Sequence, residues 1–354
     1  MQKLYFNCFT DRNEIMKTIV CVEPRKFEYH QKQKPESEAN KAIIKIKRIG
    51  VCGTDLHAYE GTQPFLSYPI ILGHELAGEL VSADNAPGFQ TGEIVSLIPY
   101  FSCGTCAACA AGKQNCCESI RVCGVHMDGG MAEYISVPSA SLLHSDGLSL
   151  DAMALVEPLA IGAHGVRRAE IKRSEFVLVM GAGPIGIGTM EFARIAGAKV
   201  IALDTNDHRL QFCRDHLKVD YTINARDADV LNILQEITRK DMPSVVIDAT
   251  GNVQAINKGF QYMSHGGRYV LIGLQREHIS FSHPEFHKRE ATLMSSRNAT
   301  REDFEFVIDS MKKQLIDPET YITHRAGFED AAKHFETWLN PTGGIIKAMI
   351  EINS

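Results

Sequence analysis

FVLVMGAGPIGIG, residues 176–188, governs how the middle of this 354-residue chain folds. The apolar run FVLVM is typical of a buried strand, and it is followed by GAGPIG and then by residues with a helical pattern. In this context the first glycine makes the turn, the second admits a pyrophosphate to the backbone, and the third packs helix on strand. The stretch therefore predicts a dinucleotide site with its phosphates at the helix N-terminus. The residues expected to line that site are Gly181, Gly183, Pro184, Ile185 and Gly186.

Asp204 indicates which dinucleotide the site prefers. It ends the next apolar run, KVIALD, 18 residues after Gly186. A carboxylate at this place can accept hydrogen bonds from both ribose hydroxyls and repels a 2′-phosphate, so NAD is favoured over NADP. Arg209 is near enough in sequence to leave some tolerance for NADP, and a simple helix-capping role for Asp204 is the alternative.

The flanking sequence predicts an α/β protein of two domains. From about residue 156 to 295, apolar runs alternate with helical stretches, which is typical of a doubly wound parallel sheet. From about residue 17 to 155 the chain consists of short strands and turns, and the end mixes one helix with a closing strand. The segments expected to be strands are 41–49, 76–83, 92–99, 176–183, 199–204, 244–251, 268–274 and 345–352, with a helix at about 302–314.

Composition excludes several classes of protein. The formal net charge is −6, so there is no basic field for nucleic acid. No window approaches the ~18 consecutive apolar residues of a membrane span. The first twenty residues lack the features of a secretory signal, which predicts a cytoplasmic protein whose cysteines serve as thiols or metal ligands. Residues 1–15 are expected to be an extra leader or to follow an upstream start.

Four cysteines with the spacing C-x2-C-x2-C-x7-C predict a closed metal site. Tight turns can bring their thiolates into a tetrahedral zinc shell, which leaves no position open for substrate and so braces a loop. An iron–sulfur cluster is the main alternative. Cys116 is expected to be a spectator, although a register shifted by one residue would include it. The expected ligands are Cys103, Cys106, Cys109 and Cys117.

A second set of residues predicts a metal site with an open position. Cys52 lies in VCGTDLH, His74 and Glu75 lie in LGHE, and Glu157 lies in VEPLA. Each alone would be a packed core residue, but thiolate, imidazole and carboxylate together suit zinc with room for a further ligand. Zinc there acts as a Lewis acid that makes a bound alcohol more acidic.

Three further residues around Cys52 have roles in this hypothesis. Thr54 would take the hydroxyl proton and pass it through the ribose towards His57. Asp55 would orient one of the metal ligands. All three lie within the heptapeptide that contains Cys52.

The ordered motifs CGTDLH, GHE, the four cysteines, DGGMAEY (128–134), EPLA and GAGPIG resemble the zinc-dependent medium-chain alcohol and polyol dehydrogenases. The resemblance covers nearly all of residues 17–354. It implies a GroES-like catalytic domain (16–155), a Rossmann domain (156–295), a return of 296–354 to the first domain, and an active site in the cleft between them. It also implies homodimers or homotetramers. By motif, Cys52, His74 and Glu157 correspond to catalytic zinc ligands, while Glu75 either binds zinc or exchanges with Glu157.

Four other stretches narrow the resemblance to a subgroup that oxidises the C5 hydroxyl of aldonates, the L-galactonate/L-gulonate 5-dehydrogenases. Those stretches are 61–69, 246–252, 283–290 and 296–304. A sugar acid needs a cation for its carboxylate, and Arg297 is the first candidate. Weaker candidates are His126, Asn298 and His287. The alternatives are a polyol, hexitol-phosphate or L-threonine dehydrogenase and, from another class, a catalytically silent zinc-braced binding protein.

Overall fold

The computed structural model describes residues 15–226, 229–340 and 344–353. Residues 1–14 of the expected leader lie outside these ranges, and Ile15 already begins a strand. The strands are β1 (Ile15–Glu23), β2 (Lys26–Gln33), β3 (Lys41–Val51), β4 (Ile70–Ile71), β5 (Glu75–Leu80), β6 (Ile94–Leu97), β7 (Tyr100–Phe101), β8 (Arg121–Val122), β9 (Tyr134–Pro138), β10 (Leu142–His144), β11 (Phe176–Met180), β12 (Lys199–Asp204), β13 (Tyr221–Asn224), β14 (Val245–Asp248), β15 (Arg268–Leu271), β16 (Thr292–Ser295), β17 (Ile322–Gly327) and β18 (Lys347–Glu351). The helices are α1 (Gly53–Glu60), α2 (Ala107–Ala110), α3 (Leu150–Ala154), α4 (Val156–Arg168), α5 (Pro184–Ile195), α6 (Asp207–Asp215), α7 (Val230–Ile237), α8 (Val253–Gly259), α9 (His283–Lys288), α10 (Arg301–Lys312) and α11 (Ala331–Trp338). Short 3-10 helices cover Gln114–Cys116, Ser139–Ser141 and Pro318–Tyr321.

The second half of the chain forms a parallel sheet with the strand order β13-β12-β11-β14-β15-β16. The strand order reverses between β11 and β14, which is where a doubly wound sheet opens a crevice for a ligand at its carboxyl edge. The predicted strands are present, but the glycines and polar residues that follow them belong to loops at that edge. The expected doubly wound domain is therefore confirmed.

The turn between β11 and α5 requires glycine at two places. Gly181 has φ +96°, which lies in the left-handed region. A Cβ on Gly186 would lie 1.8 Å from the carbonyl oxygen of Gly181, so this position admits no side chain. Helix α5 begins immediately after Gly183, with Pro184 in its first turn.

The first half of the chain forms the β-rich part. A mixed sheet has the order β10-β6-β5-β3-β18-β17, with β9 also pairing with β3, and a smaller sheet has the order β2-β1-β4. The alternation in 41–49 predicted a half-buried strand, and β3 shows that pattern of burial. Strand β18, from the end of the chain, pairs antiparallel with β3 and brings Ala348 opposite Val51.

Helix α4 connects the two halves. It contacts α5 and α10 as well as strand β5 of the mixed sheet. Glu157, in its first turn, is consequently buried beside the β-rich part. Across the described ranges, no helix is both long and apolar enough to cross a bilayer.

Candidate active site

Strand pairing brings Cys52, His74 and Glu75 together. Cys52 follows the last residue of β3 and precedes α1, while His74 precedes β5. Strands β3 and β5 are antiparallel partners, with Gly50 opposite Glu75. The Cys52 sulfur, an imidazole nitrogen of His74 and a carboxylate oxygen of Glu75 lie within 4.8 Å of one another. Zinc accepts this combination of donors.

Asp55 ties the two segments that carry these donors. Its carboxylate is fully buried and accepts hydrogen bonds from the backbone N–H of Cys52 at 2.9 Å and of Gly73 at 3.0 Å. One of its oxygens lies 3.8 Å from Nδ1 of His74. Asp55 is thus placed where a residue that orients a metal-binding histidine would lie.

Lys347, which the motif analysis missed, is paired with Glu75. It lies on β18 with 2% exposure, and its Nζ donates to both carboxylate oxygens of Glu75 at 2.6 Å and to the carbonyl oxygen of Val51 at 3.2 Å. Burial alone would lower the pKa of Lys347, but the charges of Glu75 and Cys52 outweigh it and raise that pKa. The signal in the sequence is a lysine inside the apolar run IIKAMI, because a lysine buried in a strand needs a partner.

Glu157 has a different partner. The hydroxyl of Tyr100 donates a short hydrogen bond to its carboxylate. Burial raises the pKa of Glu157 to about 7, a shift that nearby His74 opposes and nearby Glu75 reinforces. Its carboxylate is not among the three donors within 4.8 Å of one another. Tyr100 was also missed, because nothing in the sequence pairs it with a residue so distant along the chain.

The electrostatics of this cluster favour a cation. Burial opposes the charged form of His74, yet Asp55 and Cys52 raise its pKa well above the ordinary value. His74 Nδ1 is buried and has no hydrogen-bond partner among the described residues. A group of acidic and thiol side chains held out of water around an imidazole is a site that a divalent metal stabilises. The residues present therefore fit zinc.

Thr54 and His57 lie on the first turns of α1, three residues apart and so on one side of the helix. Thr54 is half-buried, whereas His57 is exposed. His57 Nδ1 lies 3.1 Å from the hydroxyl of Thr62. Thr54 is therefore near the donor cluster in the chain, and His57 reaches solvent.

The four predicted cysteines converge in a lobe of their own, which we call the four-cysteine lobe (residues 103–117). The sulfurs of Cys103, Cys106, Cys109 and Cys117 lie within 4.8 Å of one another. The N–H of Cys103 points at the sulfur of Cys117, at 3.2 Å, and backbone N–H donors lower the pKa of Cys103 to about 5. Cys116 is exposed and is not part of the cluster, which favours the expected register.

Replacing Cys106 with Ser should lower stability before it affects chemistry. The variant would lose one thiolate of a closed shell, so we expect a lower zinc content and a Tm decrease of several degrees, with kcat changed less than about twofold at low temperature. Metal analysis and thermal melting would measure this. Cys116→Ser is the matched control and should behave as wild type. A Cys106→Ser protein with full zinc and unchanged Tm would contradict the closed site.

The expected dinucleotide residues meet at the carboxyl edge of β11 and β12. The carboxylate of Asp204 accepts hydrogen bonds from the backbone N–H of Ala182 at 2.6 Å and of Asn206 at 2.8 Å. Arg209 lies alongside the same loop, because a Cβ on Gly183 would be 3.9 Å from its guanidinium. The carboxylate of Asp204 and the guanidinium of Arg209 therefore both flank the turn that would hold the phosphates and ribose.

Of the candidate substrate residues, Arg297 and His126 lie near each other. Burial lowers the pKa of His126, and the charge of Arg297 lowers it further. The guanidinium of Arg297 is exposed and has no hydrogen bond or ion pair within the part of the chain that the structure describes. The side-chain amide of Asn298 donates a hydrogen bond to the carbonyl oxygen of Asn115, at 3.2 Å. His287 lies on the exposed helix α9 beside His283.

Two family models match this chain. The alcohol dehydrogenase GroES-like domain matches residues 38–146, and the zinc-binding dehydrogenase family matches residues 184–313. Together with the relatives below, they show that the chain belongs to the zinc-type alcohol dehydrogenases and is an oxidoreductase of CH–OH groups. The resemblance inferred from the motifs and the expected GroES-like and Rossmann folds are thereby confirmed.

Individual relatives refine the comparison. The chain is 42% identical to the L-galactonate-5-dehydrogenase of Escherichia coli over 95% of its length and 98% of that protein's. It is 30% identical to the 2-dehydro-3-deoxy-L-galactonate 5-dehydrogenase of Pseudoalteromonas atlantica over 90% of its length and 93% of that protein's. A crystal structure of an alcohol dehydrogenase from Escherichia coli with NADH superimposes with a TM-score of 0.90 at 28% identity, covering 96% of this chain and all of that one. These matches confirm the expectation of zinc and NAD(H) as cofactors.

Proposed function

We propose that this protein oxidises the C5 hydroxyl of a sugar acid of the L-galactonate/L-gulonate type to a ketone and transfers the hydride to NAD. The observation that carries the chemistry is the meeting of Cys52, His74 and Glu75 within 4.8 Å, with Glu157 outside that set but close enough to affect the pKa of His74. The substrate class is supported by the 42% identity to an L-galactonate-5-dehydrogenase and by the unpaired guanidinium of Arg297.

Cys52, His74 and Glu157 are the residues that would hold the catalytic zinc. Glu75 is the nearer carboxylate, but Lys347 already binds both of its oxygens. Among the described residues, the hydroxyl of Tyr100 is the one hydrogen-bond partner of Glu157 and binds one carboxylate oxygen, so the other oxygen is available to a metal. In this arrangement Lys347 keeps Glu75 from competing with Glu157.

The chain's own residues then orient the substrate and move the proton. Zinc, when bound, supplies a Lewis acid that makes the substrate hydroxyl more acidic. Thr54 would accept the hydroxyl proton and release its own towards His57, whose exposure would let the proton pass to water. The loop at Gly181 and the carboxylate of Asp204 would hold the dinucleotide, which would supply the acceptor for the hydride of the carbinol carbon.

Arg297 would bind the substrate carboxylate. Its charge is not neutralised by any described residue, and the burial-lowered pKa of His126 keeps that neighbour neutral rather than competing as a second cation. Arginine can bind a carboxylate through two parallel hydrogen bonds, which fixes the orientation of the acid as well as its affinity.

Replacing Arg297 with Met should raise KM for the aldonate by about 10- to 100-fold, because a charge-assisted hydrogen bond contributes roughly 1.5–3 kcal/mol. KM for the corresponding alditol, which has no carboxylate, should change little. Initial rates followed by NADH absorbance would measure both. An equal effect on acid and alditol would remove Arg297 from substrate recognition.

A substrate panel tests the function as a whole. Aldonates, alditols, their phosphates and L-threonine would be compared by kcat/KM with NAD and the zinc-loaded enzyme. We expect an L-galactonate- or L-gulonate-type acid to be preferred and to give a 5-keto product. Preference for an alditol, a hexitol phosphate or threonine would replace this substrate with one of the alternatives.

Replacing Asp204 with Ala should weaken the preference for NAD. Loss of hydrogen bonds from a carboxylate to the ribose should raise KM for NAD by about tenfold or more and leave KM for NADP unchanged or lower. Asp207→Ala is a matched control, because Asp207 is an exposed acid on the same turn. An unchanged ratio of kcat/KM for the two cofactors would reject this role.

We further propose the division of the chain into a catalytic domain (16–155 with 296–354) and a Rossmann domain (156–295). The pairing of β18 with β3 and the separate parallel sheet support this division. A homodimer or homotetramer stays a prediction that sedimentation would measure. A cytoplasmic location is supported by the cysteines, which are all unpaired among the described residues.

A further inference from the structure

Asn115 joins the four-cysteine lobe to the loop that carries Arg297. It lies in the 3-10 helix Gln114–Cys116 and is 6% exposed. Its side-chain Nδ2 donates to the carbonyl oxygen of Arg297 at 2.9 Å. In return, Nδ2 of Asn298 donates to the carbonyl oxygen of Asn115 at 3.2 Å. Two hydrogen bonds in opposite directions thus hold residues 297 and 298 against the lobe.

His164, on α4, fixes the orientation of the Asn115 amide. Its Nδ1 lies 2.8 Å from the carboxylate of Asp303, and its Nε2 lies 3.3 Å from Nδ2 of Asn115. Burial opposes the ionisation of Asp303, but hydrogen bonds from His164 and Arg167 outweigh it and keep the pKa of Asp303 below the usual range. Because an ionised carboxylate only accepts, Nδ1 of His164 donates to Asp303, which turns the Nε2 edge of the ring towards the Asn115 amide.

The loop that carries Arg297 is held at its ends by other contacts, and the hydrogen bonds with Asn115 fix residues 297 and 298 between them. At one end the N–H of Ser296 donates to the carbonyl oxygen of Leu271 at 2.8 Å, and at the other the N–H of Thr300 donates to the carboxylate of Asp303 at 2.8 Å. The loop runs from the end of β16 at Ser295 to the start of α10 at Arg301, and Asn298 within it has φ +51°. Asparagine tolerates this left-handed conformation better than most residues. Arg297 therefore combines a main chain clamped at its carbonyl with a charged tip that no described residue binds. Such a combination suits a ligand-binding arginine, because the anchor reduces the conformational freedom that binding would otherwise remove.

We propose that Asn115 is the positioning residue for Arg297, so that the four-cysteine lobe helps to determine specificity for acids as well as bracing the fold. The proposal rests on the proposed function, in which Arg297 binds the substrate carboxylate. Loss of the Asn115 side chain would leave the carbonyl oxygen of Arg297 without its hydrogen-bond donor. The main chain could then move, and the guanidinium would no longer be held in one position. A misplacement of about 1 Å at a positioning group is enough to reduce binding markedly.

Asn115→Ala should raise KM for the aldonate by about 5- to 20-fold, with kcat within about twofold and KM for the alditol unchanged. Asn298→Gly should act in the same direction, since glycine keeps the left-handed backbone and removes only the reciprocal hydrogen bond. Gln114→Ala, an exposed neighbour in the same 3-10 helix, is the matched control and should have no effect. The Kd of the aldonate for the enzyme–NADH complex, measured by NADH fluorescence, should rise in parallel with KM.

A double-mutant cycle distinguishes this proposal from the proposed function. If Arg297→Met weakens binding of the aldonate and Asn115→Ala causes no further loss of binding in that background, the two residues act as one unit, as proposed. If Arg297→Met weakens binding of the aldonate and both asparagine variants leave that binding unchanged, the positioning role of Asn115 is wrong, while the assignment of the substrate carboxylate to Arg297 stands. If Arg297→Met has no effect, Arg297 does not bind the carboxylate, and the part of the proposed function on which this inference rests is wrong.

Zinc content and Tm of each variant control for damage to the lobe. If Asn115→Ala loses zinc or stability, Asn298→Gly, which lies outside the lobe, decides the outcome through the same acid-against-alditol comparison. An equal loss for acid and alditol in that variant would show a general structural role and overturn the proposal.

Discussion

Cys52→Ala should abolish turnover and leave NAD binding nearly intact. Cys52 provides the thiolate of a donor cluster whose other members are an imidazole and a carboxylate, and without it the cluster cannot retain the metal that activates the hydroxyl. We expect kcat/KM to fall by roughly 1,000-fold or more, which corresponds to about 4 kcal/mol of lost transition-state stabilisation. Steady-state rates, zinc content and the Kd of NADH would measure the three effects.

The expected pattern separates this site from the four-cysteine lobe. Cys52→Ala should lose activity while its Tm stays nearly normal, whereas Cys106→Ser should have a lower Tm while its kcat stays nearly normal. An active Cys52→Ala enzyme, or one that loses NADH binding in step with turnover, would contradict the assignment of an open metal site to this cluster.

Lys347→Met should destabilise the β-rich part by about 3–5 kcal/mol. Lys347 and Glu75 are 2% and 0% exposed, so the variant would leave a buried carboxylate without its partner. Removing one member of a buried ion pair has about this cost, because the remaining charge is out of water and unpaired. Urea unfolding would measure the change. Trp338, the one tryptophan of the chain, is buried in the same core as β3 and β18 and reports on this region by fluorescence.

The double variant Lys347→Met with Glu75→Gln tests the reason for that loss. If the unpaired charge causes the instability, neutralising it should recover at least half of the lost free energy of unfolding. Lys312→Met is a matched control, because Lys312 forms a surface ion pair with Asp146 and should change stability by less than about 1 kcal/mol. A loss of that small size in Lys347→Met would show that the buried pair contributes little.

Most of the fold followed from local patterns. The alternation in 41–49 and the apolar runs at 176–180 and 199–204 reflect burial on one or both faces of a strand, and they appear as β3, β11 and β12. Short or edge strands such as β4, β7 and β8 carry too few residues for a period to be visible. Their pairing depends on neighbours that come from elsewhere in the chain.

Some residues of the candidate site could be predicted from local sequence patterns, and others could not. The motifs containing Cys52 and His74 were visible because each lies where a strand meets a turn, and the register of β3 against β5 then brought them together. Tyr100 and Glu157 are 57 residues apart, and no short-range pattern connects them. The sequence alone also left open whether Glu75 or Glu157 is available to a metal.

Amino-acid sequence by itself determined the dinucleotide turn and the four-cysteine lobe. Both are built from residues close in the chain, so steric limits at Gly186 and the spacing of the cysteines are enough to specify them. Tertiary structure alone decided that Lys347 binds Glu75, 272 residues away, and that Asn115 holds Arg297, 182 residues away. These contacts exist because β18 pairs with β3 and because His164 of α4 lies against Asn115 of the lobe. Such long-range placement is an outcome of packing the whole chain.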